Sequence, residues 1–163
     1  MYPFSVNSRR SPLETLLDNV NVERMSEIPS PEEVQERIPL TDAAAETVLA
    51  GRNALRAILD RKDPRLLVVD GPCSIHDPEA ALDYARRLKR LADEVRDTLV
   101  LVMRVYFEKP RTSVGWKGYV NDPFMDDSFR IDEGIARART LLMQLVEFVV
   151  PTGAEALDAS CPQ

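Results

Sequence analysis

From Thr41 onward the apolar residues recur in two alternating rhythms. Ala44, Val48, Leu55, Ile58 and Leu59 fall at helical spacing, and Thr41 stands where a side chain can cap the first turn. Pro64 bounds that helix, because the residue before a proline is pushed out of the helical region. Leu66 to Val69 is an apolar run without alternation, which predicts a short strand buried on both faces of a parallel sheet. Asp77 followed by Pro78 predicts a capped helix start, and Ala81, Ala85, Leu88, Ala92 and Val95 form its apolar face. Leu99 to Phe107 reads as a second strand, and Glu108 to Asp127 as a long polar loop. Ile131, Ile135, Ala138, Leu142 and Leu145 mark another helix, and Val149 to Leu157 a third strand. Helix alternating with strand in this way predicts an α/β fold with a parallel sheet.

Before Thr41 no such rhythm holds. Pro3, Pro12, Pro29, Pro31 and Pro39 interrupt the chain, so residues 1–40 are expected to be an irregular arm, with a short helix starting at Leu13 to Leu17. Residues 41–163 are then the folded unit.

Composition narrows the function. A chain of 163 residues is the size of one domain. With 27 acidic residues against 21 basic, its net charge of −6 disfavours general binding to nucleic acid or to a membrane surface. Two cysteines, Cys73 and Cys161, are too few for a disulfide scaffold. The N-terminus lacks the apolar stretch of a signal peptide, and no apolar run has the length of a membrane span. We therefore expect a soluble protein of the cytoplasm.

Three places carry candidate chemistry, each at the end of a predicted strand, where α/β folds build their sites. Gly71 and Pro72 make a tight exit from the first strand and leave Cys73 at its tip. Its thiol is either an inert buried group or a ligand for a borderline divalent metal. His76, the sole histidine, cannot complete a metal site with it, and Asp77 is explained as a helix cap. The second place is the basic cluster Arg104, Lys109, Arg111 and Lys117, with Thr112 and Trp116 among them. If Leu101, Met103 and Val105 face one way, Arg104 faces the other, and a guanidinium inside a sheet needs a charged partner. Carboxylate or phosphate is the usual one, while a solvated loop would account for Lys117 equally well. The third place is Glu155 with Asp158, for which a salt bridge is the simpler expectation and support of the basic cluster the other.

The runs GPCSIHDP at 71–78, MRVYFEKPRT at 103–112 and EALD at 155–158 are long and chemically odd. Together they resemble the class I 3-deoxy-7-phosphoheptulonate synthases (DAHP synthases) of the bacterial and fungal type, from about Thr41 to Gln163. The resemblance implies a (β/α)8 barrel that condenses phosphoenolpyruvate with erythrose 4-phosphate in the shikimate pathway of aromatic amino-acid synthesis. It implies a divalent metal (manganese, iron, cobalt or zinc) and a homo-oligomer. Cys73 falls at the family's metal-ligand cysteine. Arg104 and Lys109 fall at residues that grip phosphoenolpyruvate, Arg111 and Thr112 at those that hold the phosphate of the aldose, and Lys117 and Glu155 in motifs that line the site. A metal would polarise the aldehyde as a Lewis acid.

A (β/α)8 barrel takes about 250 residues, whereas the pattern here gives three βα units. The family's other metal ligands, a histidine, a glutamate and an aspartate, lie on later strands. This predicts the N-terminal portion of a barrel: a truncated chain, inactive and poorly folded alone, with an open apolar edge at its last strand. The competing reading is a non-catalytic module that joins a full-length synthase, since the family's N-terminal arm serves subunit contacts and feedback inhibition.

Overall fold

A computed structural model describes residues 27–110, 114–148 and 150–156. They form helices α1 (Pro31–Arg37), α2 (Asp42–Leu59), α3 (Pro78–Glu94) and α4 (Ile131–Glu147), and strands β1 (Leu66–Asp70), β2 (Leu99–Arg104) and β3 (Thr152–Gly153). The strands make one parallel sheet in the order β1-β2-β3. Leu66 pairs with Leu99 and Asp70 with Met103, while Met103 and Arg104 pair with Thr152 and Gly153. Parallel neighbours need crossovers, and α3 and α4 supply them.

Local chemistry starts the helices where the sequence predicts. Thr41 accepts the Ala44 N–H at 3.2 Å and opens α2. Asp77 accepts the N–H groups of Glu79 and Ala80 at 2.9 and 3.3 Å, and Pro78 takes the first position of α3, where its missing N–H costs nothing. Leu101, Met103 and Val105 pack with Ala81, Ala85 and Leu88 of α3 and with Ala138, Leu141 and Leu145 of α4 in one core. Across the sheet, Val102 borders a groove with Val48, Gly51 and Leu55 of α2. There is no room for a side chain at Gly51, since a Cβ would stand 2.8 Å from Pro151 Cβ. Among the described residues no helix is long and apolar enough to cross a membrane.

Four expectations need correction. Residues 31–37 are helical, not irregular: Ser30 Oγ accepts the Glu33 N–H at 3.2 Å while Glu33 accepts the Ser30 N–H at 2.7 Å, a reciprocal cap with Pro31 at the first position. The arm is tied down where Arg139 Nε donates to the Ile38 carbonyl at 2.8 Å. Strand β1 is not buried on both faces: as an edge strand it leaves Leu66 67% and Val69 56% exposed. The third strand shrinks to Thr152–Gly153; Val149 and Leu157 lie outside the described residues. Finally, the polar loop carries core. Tyr119 and Val120 are buried, the Tyr119 ring lies 6.0 Å from that of Phe107, and Glu108 bridges Gly118 in antiparallel fashion. Gly118 makes this fold-back possible at φ 106°, because a Cβ there would meet the Phe107 carbonyl oxygen at 2.2 Å.

Candidate active site

The carboxyl ends of β1 and β2 come together through a close backbone approach. A Cβ on Gly71 would stand 2.4 Å from the Arg104 carbonyl oxygen, so the turn leaving β1 can pass β2 only without a side chain. Arg104 closes β2 on the face opposite Met103, as strand alternation requires. Its guanidinium donates from Nη2 to the Gly71 carbonyl at 2.8 Å and from Nε to the Pro72 carbonyl at 3.1 Å, and stacks 5.2 Å from the Tyr106 ring centroid. The partner expected from sequence was an anion. Two backbone carbonyls are found instead, and a guanidinium has donors to spare beyond them.

Beyond Arg104 the chain runs on to Lys109, half-buried, whose N–H donates to the Lys117 carbonyl at 3.1 Å. Lys109 Nζ donates to the Cys73 carbonyl at 3.0 Å and lies 3.1 Å from Cys73 Sγ. The cysteine is exposed, not buried. Cys73, Arg104 and Lys109 are thereby brought to one rim from two strand ends. The turn itself is pinned where the Ile75 N–H donates to the Tyr106 carbonyl at 2.8 Å.

Glu155, just past β3, makes no salt bridge among the described residues. Its Oε1 accepts the N–H of Phe107 at 2.7 Å and that of Glu108. The outer oxygens of Glu155 and Glu108 are buried without a hydrogen-bond partner among the described residues. Lys117 is half-buried beside this segment. Arg111, Thr112, Asp158 and Cys161 lie outside the described residues.

One pair escaped the sequence reading. Tyr84 of α3 donates its hydroxyl to Asp70 Oδ2 at 2.7 Å, fastening α3 to the tip of β1. Burial, then the Asp70 hydrogen bond and charge, push the Tyr84 phenol up to about 12. The only local signal was a carboxylate as the last residue of an otherwise apolar strand.

The described residues do not make up a metal site. Cys73 supplies one sulfur, faced by an ammonium, and no group of three or more His, Cys, Asp or Glu is placed to hold an ion.

Residues 37–163 match the model of the DAHP synthetase I family. The chain belongs to that family. It is 52% identical over 147 residues to the Tyr-sensitive phospho-2-dehydro-3-deoxyheptonate aldolase of Escherichia coli K12, covering 90% of this chain and 41% of the relative. It is 48% identical to the phospho-2-dehydro-3-deoxyheptonate aldolase of Amycolatopsis methanolica, covering 90% of this chain and 72% of that protein. The solved structure of the Francisella tularensis phospho-2-dehydro-3-deoxyheptonate aldolase superposes with a TM-score of 0.83 at 42% identity, covering 87% of this chain and 42% of that one. The chain thus spans about two-fifths of the length of several relatives it matches. The three parallel strands and four helices are similar in fold to that solved structure over the matched length.

Proposed function

We propose that this chain contributes the first βα units of a (β/α)8-barrel DAHP synthase, which joins phosphoenolpyruvate to erythrose 4-phosphate and water and releases phosphate. One observation carries the reading: Arg104 and Lys109 both reach the Gly71–Cys73 turn at the end of β1, in a chain of net charge −6. Concentrating cations there against the overall charge suits a site for phosphorylated anions.

In this reading Arg104 and Lys109 hold the carboxylate and phosphate of phosphoenolpyruvate. Arg104 is already oriented by two carbonyls, so little is lost in ordering it when the anion arrives. Arg111 and Thr112 hold the phosphate of the aldose, and Lys117 and Glu155 border the site. The methylene carbon of phosphoenolpyruvate bonds to the aldehyde carbon as the C=O π bond opens. Water adds to the electron-poor carbon left behind, and its released proton neutralises the new alkoxide. The carbon–oxygen bond to phosphate then breaks, leaving a ketone and free phosphate. Donors fixed beforehand stabilise the charge as it moves, which is where most of the rate arises. Cys73 is assigned as one ligand of a divalent metal. The described residues do not complete that ion's shell and are not expected to turn over alone. A homo-oligomer in the cytoplasm belongs to the same reading.

The test is to measure phosphoenolpyruvate binding by the native polypeptide. Arg104→Ala should weaken that binding on the order of tenfold or more, the scale of a lost charged hydrogen bond. Absence of phosphoenolpyruvate binding by the unaltered protein would overturn the reading.

A further inference from the structure

The pairing of β2 with β3 continues past the last paired residues, but by a substitute. Met103 and Val105 donate their N–H groups to the carbonyls of Pro151 and Gly153, each at 2.8 Å. By the alternation of a parallel ladder, the next N–H on that side is that of Phe107, and the next acceptor would be the carbonyl of Glu155. The carboxylate of Glu155 takes that place instead, and its Oε1 accepts the N–H of both Phe107 and Glu108. Both residues are buried, so without this oxygen two amides would be stranded away from water. The next residue is Lys109, whose Nζ reaches Cys73.

We infer that Glu155 is a positioning residue for Lys109 and does not itself hold substrate. A bare carboxylate at the rim of an anion site would repel what the site is built to bind. Two N–H donors commit Glu155 Oε1 to backbone geometry, while Oε2 is buried without a partner among the described residues. The carboxylate thereby fixes the residue-107–108 backbone and the direction in which Lys109 leaves it. The meaning of this for catalysis rests on the reading above; the geometry does not.

The test is NMR of the full chain with its lysine amines tagged by reductive methylation, comparing Glu155→Ala and Glu155→Gln. Glutamine keeps an acceptor oxygen and loses the charge. In Glu155→Ala the amides of Phe107 and Glu108 should exchange on the order of tenfold faster or more, and the Lys109 amine signal should shift, while the Val105 amide stays protected. Glu155→Gln should restore both signals. If Glu155→Ala fails to fold, the unaltered chain decides: the Phe107 and Glu108 amides must be protected from exchange to about the degree of the Val105 amide. An unmoved Lys109 signal in folded Glu155→Ala, no rescue by glutamine, or Phe107 and Glu108 amides left unprotected in the unaltered chain would each overturn the inference. Phosphoenolpyruvate binding by the same samples separates the two ideas. Its absence with the amide behaviour intact removes the functional reading and leaves the positioning one.

Discussion

Lys109 Nζ stands 3.0 Å from the carbonyl oxygen and 3.1 Å from the sulfur of Cys73, thirty-six positions away in the chain. A single ammonium thus clasps the turn leaving β1 from the extension of β2. Lys109→Met keeps most of the stem and removes the clasp. Because the contact is partly exposed, its loss should cost about 1 kcal/mol or less of stability in a urea titration. Under the proposed function, phosphoenolpyruvate binding should suffer far more than folding. Equal losses in both would show that Lys109 serves the fold alone.

Gly134 offers a test in which two effects oppose each other. It sits inside the first turns of α4, where exchange of glycine for alanine ordinarily gains about 1 kcal/mol. Here a Cβ would stand 1.9 Å from the Val120 carbonyl oxygen, a backbone atom that cannot swing aside. Gly134→Ala should therefore destabilise, by about 2 kcal/mol or more, because the helix and the loop must move apart. A raised melting temperature would refute the packing of this loop on α4.

The cap of α1 makes a pH-dependent prediction. Hydrogen bonds from the Ser30 backbone and then its side chain hold the Glu33 carboxyl below its ordinary value of 4.5. A carboxyl lowered in the folded state stabilises α1 above that ordinary value, and the contribution is lost as pH falls through the folded value. The Ser30 amide should lose protection on acidification, and Ser30→Ala should remove about 1 kcal/mol of helix stability at neutral pH. A Ser30 amide insensitive to acid would contradict the reciprocal cap.

Tyr84 predicts the opposite sense at the alkaline end. Its phenol, raised from 10 to about 12, favours the folded state while neutral. That stability is fully present below pH 10 and is lost as pH rises through about 12. A phenolate absorbance titration should show a late step that Tyr84→Phe abolishes. Persistence of the step in the variant would detach Tyr84 from Asp70.

What the sequence disclosed was whatever depends on near neighbours. Thr41 and Asp77–Pro78 cap helices across two or three residues, so they read correctly. Ser30 and Glu33 obey the same local rule, and their signal was outweighed by the density of prolines, one of which favours the helix start it was taken to forbid. The exposure of Leu66 and Val69 was not legible, because an apolar run does not record whether its edge has a neighbour. At the rim the residue types were legible and their partners were not. Arg104 meets carbonyls more than thirty positions earlier, and Glu155 meets amides more than forty earlier. Only the assembled sheet brings those groups within reach.

The order of the strands bears on how the chain is made. Each strand pairs with the one synthesised before it, β2 with β1 and β3 with β2. Every rung therefore becomes available as soon as the newer strand clears the ribosome, and no strand must be threaded between two that are already joined. The rim can be laid down in the same sequence. Cys73 emerges first, Arg104 and Lys109 reach the turn around it when β2 docks, and Glu155 then takes up the Phe107 and Glu108 amides, so the cationic corner is built stepwise in the order of its strands.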